Sequence, residues 1–281
     1  MKNVIVLGGN GQLAHCLKSV DTKGLEITCF NSQEANILEE SHLRKVFQES
    51  NPEVVINCAA YTAVDIAEDE PLKAAAVNAQ APELIAQLCL EHDAFLIHIS
   101  TDFVFDGEKP VPLTEDDIPN PINTYGKTKL LGEEAITRTL DKHVIIRTSW
   151  LYSEFGSNFL KTMIRLGLER EELSVVFDQV GTPTYAIDLA KVIIEIASLE
   201  NPSYGLYHYS NEGTASWYDF AHAIFKHENL EIQLKPVRTS KYPTKAARPA
   251  YSVMDKSKIK EAFNIAIPHW YDSLERCMKK L

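Results

Sequence analysis

The chain has 281 residues, 45% of them hydrophobic and 24% charged, which is enough to build the cores of one or two globular domains. Its 28 basic and 39 acidic residues give a net charge of −11, which argues against a protein that coats nucleic acid or an anionic membrane. No apolar stretch approaches the roughly 20 residues of a membrane span. Five scattered cysteines without a Cys-x-x-Cys pair predict a reduced, cytoplasmic protein.

Short apolar runs alternate with longer amphipathic segments in the first half of the chain. The apolar runs predict buried strands at residues 4–7, 25–30, 54–58, 95–99 and 144–146. The amphipathic segments predict helices at residues 11–20, 41–50, 72–91 and 124–140, and Pro82 should kink or divide the third. This alternation is typical of βαβ units, which build a parallel sheet covered on both faces.

The pattern changes after about Trp150. Helices are predicted at residues 157–170, 185–199 and 217–227, with strand-like runs at 173–177 and 204–210 and a Pro/Lys-rich tract at 236–249. We expect these segments to form a smaller α+β portion that is interleaved with the first domain.

A glycine turn follows the first predicted strand. The segment GGNGQLA places Gly8, Gly11 and Ala14 at three-residue spacing where the first helix begins. The first glycine permits a tight turn, the second lets the backbone approach a pyrophosphate, and Ala14 lets the helix pack on the strand. A plain strand-ending turn is the alternative. We interpret residues 1–150 as a dinucleotide-binding α/β domain of the Rossmann type, with a doubly wound parallel sheet, and residues 151–281 as mainly a substrate-binding domain.

The end of the second strand bears on which dinucleotide is used. An acidic residue there would bind the adenosine ribose and favour NAD, but Asn31 occupies this position. The lack of a carboxylate reduces repulsion against a 2′-phosphate, although no arginine is present to bind one. The sequence therefore favours NADPH and leaves NADH open.

Tyr125 and Lys129 form a Tyr-x-x-x-Lys pair, which places both side chains on one helical face, one turn apart. A lysine ammonium near a phenol lowers the phenol pKa from about 10, so that tyrosine can serve as an acid or base. Thr101, at the end of the fourth strand, can hold a substrate carbonyl, and the adjacent Ser100 leaves the choice of hydroxyl open. Chance matches to this pattern are common, but its combination with the glycine turn favours chemistry.

Several motifs spread over almost the whole chain resemble one family. They are GGNGQLA, NCAAYTAVDIAE, STDFVFDG, NTYGKTKLLGE, RTSWLY, NFLKTMIRLG, DQVGTPT and ARPAYS. With these motifs the chain resembles the extended short-chain dehydrogenase/reductases and, within them, the dTDP-4-dehydrorhamnose reductases. The resemblance implies reduction of the C4 ketone of dTDP-4-dehydro-L-rhamnose to dTDP-L-rhamnose, for cell-surface polysaccharides, with NADPH or NADH as hydride donor.

The resemblance also implies roles for individual residues. Tyr125 would donate a proton, Lys129 would hold the nicotinamide ribose and tune Tyr125, and Thr101 would help to lower the tyrosine pKa. Substrate contacts would come from Thr101, Asp102, Trp150 and Arg248, with Trp150 stacking on the deoxysugar and Arg248 pairing with the pyrophosphate. The cofactor would be lined by Gly8, Gly11, Gln12, Leu13, Asn31, Asn36, Ile37, Ala60, Tyr61 and Thr62, in addition to Tyr125 and Lys129.

Two features limit what the resemblance implies. Some family members form a magnesium-bridged dimer through a first-helix glutamate, but Cys16 stands at that position here, so we expect no metal. A homodimer remains compatible with the sequence. The nine histidines form no metal-binding pattern and are interpreted as surface or core residues. The acidic residues of the segment 65–70 are explained by the dipole of a helix N-terminus, without a functional role.

The sequence disfavours one related reaction and leaves two other functions open. Related dehydratases carry an Asp-Glu pair after the strand-end threonine, whereas Thr101-Asp102 is followed here by Phe103, which disfavours dehydration. A reductase of a different nucleotide 4-ketosugar and a cofactor-binding regulatory subunit without turnover remain as alternatives. The intact set of Thr101, Tyr125 and Lys129 favours an enzyme over the regulatory subunit.

Overall fold

The computed structural model describes residues 2–281. Its strands are β1 Asn3–Leu7, β2 Glu26–Phe30, β3 Val54–Asn57, β4 Phe95–Thr101, β5 His143–Thr148, β6 Leu151–Tyr152, β7 Glu172–Val176, β8 Val180–Gly181, β9 Thr184–Tyr185, β10 Gly205–His208, β11 Ala215–Ser216 and β12 Gln233–Val237. Its helices are α1 Gln12–Ser19, α2 Glu40–Ser50, α3 Val64–Ala67, α4 Pro71–Ala75, α5 Ala81–Glu91, α6 Thr124–Thr139, α7 Phe159–Glu169, α8 Ala186–Ser198, α9 Trp217–His227, α10 Ser257–Phe263 and α11 Trp270–Met278.

The main sheet has six parallel strands in the order β10-β5-β4-β3-β1-β2. The chain passes from β1 to β2 on one side and to β3 on the other, so the strand order reverses next to β1. Ligands of open α/β sheets bind at the carboxyl ends of the strands beside such a reversal. This confirms the predicted α/β fold with a doubly wound Rossmann-type sheet and locates the crevice where a ligand is expected.

Both faces of this sheet are covered. Along β1, Val4 and Val6 contribute to one apolar core together with α1 and α8, whereas Ile5 and Leu7 contribute to a second core with α2 and α5. All four side chains are fully buried. This burial explains why β1 reads as a continuous apolar run rather than as an alternating pattern.

Two predicted elements differ from the structure in an informative way. The strand β2 was expected to be buried, but it lies at the sheet edge and is partly exposed, because it has a neighbour only in β1. The strand β5 continues through Arg147 and Thr148, beyond the predicted run at 144–146. Thr148 pairs in register with Thr101, so the two strands end at the same level.

The predicted helix at 72–91 is divided, as expected from Pro82. A π-helical turn, Ala76–Gln80, separates α4 from α5, and Pro82 lies in the first turn of α5. Proline has no N–H to donate to the carbonyl of Asn78, one turn earlier. That carbonyl oxygen faces Gly132 of α6, where a Cβ would lie only 2.1 Å from it. The irregular turn thus brings α6 close to α4 and α5.

The second half of the chain joins the first at several points. The strand β10 completes the main sheet beside β5, and α8 packs against α1. The remaining strands form small pairs, β7 with β12, β6 with β9 and β8 with β11. The division of the chain at residue 150 stays a prediction. Of the helices within residues 2–281, none has the length and apolar character needed to cross a bilayer.

Candidate active site

The glycine turn forms the floor of a cavity of about 370 Å³ at the carboxyl ends of β1 and β3. Gly8 has a φ of +86°, and a Cβ at this position would lie 2.8 Å from the backbone nitrogen of Ala59. The N–H of Gly11 donates to the carbonyl of Gly8 at 2.9 Å, which closes the turn directly before α1. Only glycine fits at position 8, because its missing side chain lets the backbone that follows β3 approach the turn.

Several of the residues predicted to contact a cofactor line this cavity. They are Gly8, Gly11, Asn36, Ile37 and Ala60. Asn31 does not line it, because its Oδ1 accepts the N–H of Gln33 at 2.8 Å and caps the loop after β2. Ser32, which the sequence did not single out, also lies in this loop and lines the cavity.

The other predicted cofactor residues point elsewhere in this structure. Gln12 links α1 to the second half of the chain, donating to the carbonyl of Leu151 and accepting from Asn158 at 2.7 Å. Leu13 is buried in an apolar core. The hydroxyl of Tyr61 donates to Glu70 at 2.7 Å, and Thr62 is exposed.

Thr101 and Tyr125 meet beside this cavity because a strand end and a helix start converge there. Thr101 is the last residue of β4 and is buried. Tyr125 lies in the first turn of α6, where the Oδ1 of Asn123 caps the helix by accepting the N–H of Gly126 at 2.7 Å. The ring of Tyr125 packs edge-on against Phe103 at 5.7 Å. These contacts hold the phenol in a fixed place near the Thr101 hydroxyl.

The pKa of Tyr125 is not lowered in this structure. Burial raises the pKa of Tyr125 to about 12, and a hydrogen bond with Thr101 only partly offsets this. Lys129 does not lower the pKa of Tyr125 as expected, because the Nζ of Lys129 is bound to other groups. Its Nζ donates to the carbonyl of Ile99 at 2.6 Å and lies 3.1 Å from Nε2 of His98. The phenol is therefore held protonated, which is the form that can donate a proton.

Lys129 and Asp102 are both shifted toward their neutral forms. Burial lowers the pKa of Lys129 to about 8 and raises the pKa of Asp102 to about 6. The Thr101 hydroxyl donates to Oδ1 of Asp102 at 3.2 Å, and the hydroxyl of Ser252 also favours the carboxylate. Asp102 is buried, and its contact with a substrate stays a prediction.

Trp150 is stacked within the protein. Its ring lies parallel to that of Trp217, with 3.5 Å between the ring centroids. The opposite face lies against Gly181, where a Cβ would come within 2.9 Å of three indole atoms. Both faces of the indole are thus covered, and stacking of a sugar on Trp150 would require Trp217 to move. That contact stays a prediction.

Arg248 is also paired within the protein. Its guanidinium donates to both carboxylate oxygens of Asp65, at 2.7 and 3.1 Å. Lys245 forms an ion pair with Asp69, and Glu68 accepts the N–H of Thr124 at 2.7 Å. The acidic segment 65–70 therefore binds the C-terminal tract and the start of α6, which corrects the explanation by a helix dipole alone. Contact between Arg248 and a pyrophosphate stays a prediction.

A second cavity, of about 1000 Å³, opens next to these pairs. Its lining includes apolar side chains of α7 and β7 and, facing them, Trp217, Tyr242, Lys245 and Arg248. Aromatic surface and cationic groups in one cavity suit a ligand that carries a planar base and negative charge.

Sequence reasoning missed a buried ion pair beneath the site. Glu133 of α6 accepts from Arg147 of β5 at 2.6 Å, and it also accepts the Ser100 hydroxyl. The three side chains are at most 5% exposed. Because Ser100 serves as a structural donor, Thr101 is the strand-end hydroxyl that lies next to Tyr125. The arginine that follows the apolar run 144–146 was the available signal.

The structure describes no metal centre. Within residues 2–281, no group of three or more His, Cys, Asp or Glu side chains is arranged to hold an ion. Cys16 is buried, and burial raises the pKa of its thiol to about 12, so it is a poor ligand. The expectation that the protein needs no metal stays a prediction.

A doubly wound sheet, a glycine turn at its reversal point, and a strand-end threonine beside a Tyr–Lys pair define an oxidoreductase of the short-chain dehydrogenase/reductase type. The model of the family described as RmlD substrate binding domain matches residues 1–281. The chain therefore belongs to the family of the dTDP-4-dehydrorhamnose reductases, as its motifs suggested.

Individual relatives agree with this assignment. The chain is 39% identical to the dTDP-4-dehydrorhamnose reductase of Aggregatibacter actinomycetemcomitans, with 98% of each protein covered. It is 40% identical to the spore coat polysaccharide biosynthesis protein SpsK of Bacillus subtilis, over 100% of this chain and 98% of that one. A crystal structure of the Bacillus anthracis dTDP-4-dehydrorhamnose reductase in complex with NADP superposes with a TM-score of 0.94 at 40% identity, covering all of both chains.

Proposed function

We propose that this protein catalyses the NADPH-dependent reduction of the C4 ketone of dTDP-4-dehydro-L-rhamnose to dTDP-L-rhamnose, a precursor of cell-surface polysaccharide. The observation that carries the proposal is the convergence of Thr101, Tyr125 and Lys129 beside the glycine-turn cavity, at the carboxyl end of β4. The naming of its relatives as dTDP-4-dehydrorhamnose reductases supports the choice of sugar.

The residues around the first cavity fit a dinucleotide. Gly8 and Gly11 would face the pyrophosphate, and Ser32, Asn36 and Ile37 would face the adenosine. None of the described residues lining this cavity is Asp or Glu, so a ribose 2′-phosphate would meet no carboxylate there. NADP in the Bacillus anthracis relative supports the same preference. When bound, the reduced nicotinamide supplies the hydride for the carbonyl carbon.

Tyr125 acts as the general acid. Its neutral phenol donates the Oη proton to the carbonyl oxygen as that oxygen gains negative charge. Thr101 donates a hydrogen bond to the same oxygen and so polarises the carbonyl. The burial that keeps the phenol protonated also keeps bulk water from the reacting atoms. Since the raised pKa of Tyr125 favours the acid over the phenolate, the site is suited to reduction.

The nucleotide part of the substrate would occupy the larger cavity. Lys245 and Arg248 supply positive charge for a diphosphate, and Tyr242 supplies aromatic surface for a base. Because the protein carries five free cysteines, we place the reaction in the reducing cytoplasm. A homodimer stays a prediction that sedimentation can test.

A panel of substrates tests the proposal. Purified protein is mixed with NADPH or NADH and with dTDP- and UDP-linked 4-keto-6-deoxysugars, and nicotinamide absorbance is followed while the product is identified by NMR. We expect the highest kcat/KM with dTDP-4-dehydro-L-rhamnose and NADPH, and dTDP-L-rhamnose as the product. Preferred turnover of another ketosugar would replace the substrate. Binding of NADPH without turnover of any sugar would instead identify a regulatory subunit.

A further inference from the structure

Hydrogen bonds link three buried polar side chains in a row, those of Lys129, His98 and Asn57. Nζ of Lys129 is 3.1 Å from Nε2 of His98, and Nδ1 of His98 is 3.1 Å from Nδ2 of Asn57. Asn57 and Lys129 are each 1% exposed, and His98 is fully buried. The pairing of β3 with β4 places Asn57 directly opposite His98, so the sheet itself fixes this geometry.

The direction of each hydrogen bond follows from one backbone group. The N–H of Ala59 donates to Asn57 at 3.1 Å, and an N–H can only donate, so the atom that receives it is the Oδ1 oxygen. The amide NH₂ of Asn57 must then face His98, whose Nδ1 accepts. A neutral His98 therefore carries its proton on Nε2, and this N–H points at Nζ of Lys129.

An ammonium cannot accept that hydrogen bond. A protonated Lys129 has three N–H groups and no lone pair, so it would face the Nε2–H of His98 donor to donor. A neutral amine fits, because its lone pair accepts from Nε2–H while an N–H still donates to the carbonyl of Ile99. The hydrogen-bond pattern around Lys129 thus matches the amine form.

Charged and titratable groups face Lys129 and His98 from α6, β3 and β5. Glu133 on α6 favours the ammonium, but it is already paired with Arg147, and Cys58 after β3 is a half-buried thiol whose raised pKa keeps it neutral. His143 on β5 and Lys129 both disfavour a charged His98, and burial lowers the pKa of His98 well below its usual range. The imidazole is therefore neutral across the working pH range.

We propose that Asn57 and His98 are positioning residues that hold the side chain of Lys129 against β4 and favour its amine form in the cofactor-free protein. The tautomer of His98 and the titration of Lys129 do not depend on the proposed reduction.

NMR of the cofactor-free protein tests the tautomer directly. In protein labelled with ¹⁵N-histidine, we expect His98 to show a protonated Nε2 and an unprotonated Nδ1 at neutral pH. A protonated Nδ1 would overturn the inference, because Nε2 would then accept from an ammonium. This measurement uses the unaltered chain, so it does not depend on whether a variant folds.

Two variants test the effect on Lys129, whose Cε resonance reports its titration. In His98→Gln the side-chain amide can turn its oxygen toward the ammonium, so the pKa of Lys129 should rise by about one unit, the equivalent of one hydrogen bond. In Asn57→Asp one carboxylate oxygen still accepts from Ala59 and the other accepts from Nδ1–H, which leaves Nε2 as an acceptor and should also raise the lysine pKa.

The matched control is His208→Gln. His208 is fully buried like His98 but bonds to the carbonyl of Leu113, so its replacement should leave the Lys129 titration unchanged. An equal shift in the control, or no shift in His98→Gln, would show that His98 only packs the core.

Discussion

The two sides of the crevice differ in how their polar and aromatic groups are occupied. On the sheet side, Thr101 and Tyr125 are held by β4 and α6, and their hydroxyls are hydrogen-bonded to each other at the carboxyl end of β4. On the opposite side, Trp150 is stacked on Trp217, and the guanidinium of Arg248 donates to both carboxylate oxygens of Asp65. The catalytic side is already arranged for chemistry, whereas the substrate side has its binding groups paired with one another.

This difference has a physical origin. Thr101 ends a central strand whose two neighbours fix its position, so substrate binding need not reorganise it. Trp150 and Arg248 lie outside the main sheet, in segments held by side-chain pairs. We predict that a bound nucleotide sugar exchanges these internal partners for ligand, and that part of its binding free energy is spent on the exchange.

The largest effect is expected on the catalytic side. Tyr125→Phe removes the acid and keeps the ring packed on Phe103, so kcat should fall by about 10²–10⁴-fold while the Kd for NADPH changes little. Stopped-flow reduction and cofactor titration on the same preparation measure both quantities. Near-normal turnover in this variant would mean that another group donates the proton.

The Asp65–Arg248 pair gives the next largest effect. Arg248→Gln should raise KM for the nucleotide sugar about 10- to 100-fold, because it removes charge-assisted hydrogen bonds to the diphosphate. Asp65→Asn is the matched variant, and it should lower KM a few fold by releasing the guanidinium. If both variants raise KM equally, the pair serves only to hold the two segments together.

Substitutions of the two stacked tryptophans, Trp150 and Trp217, should also change KM in opposite directions. Trp150→Ala should raise KM for the sugar by a factor that corresponds to about 1–2 kcal/mol of lost apolar burial. Trp217→Ala should lower it, because it uncovers one face of Trp150. Melting temperatures of the same samples separate this account from a purely structural pair, for which both variants would lose stability and neither would change KM.

The smallest effect concerns the adenosine end of the cofactor cavity. Ser32→Asp should shift the NADPH/NADH ratio of kcat/KM toward NADH by about fivefold, the size expected for one exposed pair of like charges. Asn31→Asp should shift it less, because Asn31 caps its own loop outside the cavity lining. Equal shifts at the two positions would place Asn31 beside the ribose after all.

Local patterns in the sequence were sufficient for much of this structure. The helix Trp217–His227 was predicted at its exact bounds, and the glycine turn and the Tyr125–Lys129 spacing each depend on residues within one turn of the chain. The sheet edge at β2 was not predictable in this way, because an apolar run does not reveal how many neighbours a strand has.

Contacts between distant segments account for what the sequence did not reveal. Asp65 and Arg248 are 183 positions apart, and each had a sufficient local explanation as a helix-start acid or a surface cation. His98 was one of nine histidines without a motif, and its link to Lys129 exists only because β4 runs beneath α6. The raised pKa of Tyr125 likewise follows from burial, which the spacing of a Tyr-x-x-x-Lys pair does not contain.

A crystal structure of the ternary complex with NADP⁺ and dTDP-L-rhamnose tests the central claim most directly. We predict that Thr101, Tyr125 and Lys129 keep their positions with Oη of Tyr125 at the sugar C4 oxygen. On the other side, Trp217 should have left Trp150, and Arg248 should bind the diphosphate instead of Asp65. A complex in which the sugar lies away from Tyr125, or in which both internal pairs remain intact, would contradict this account.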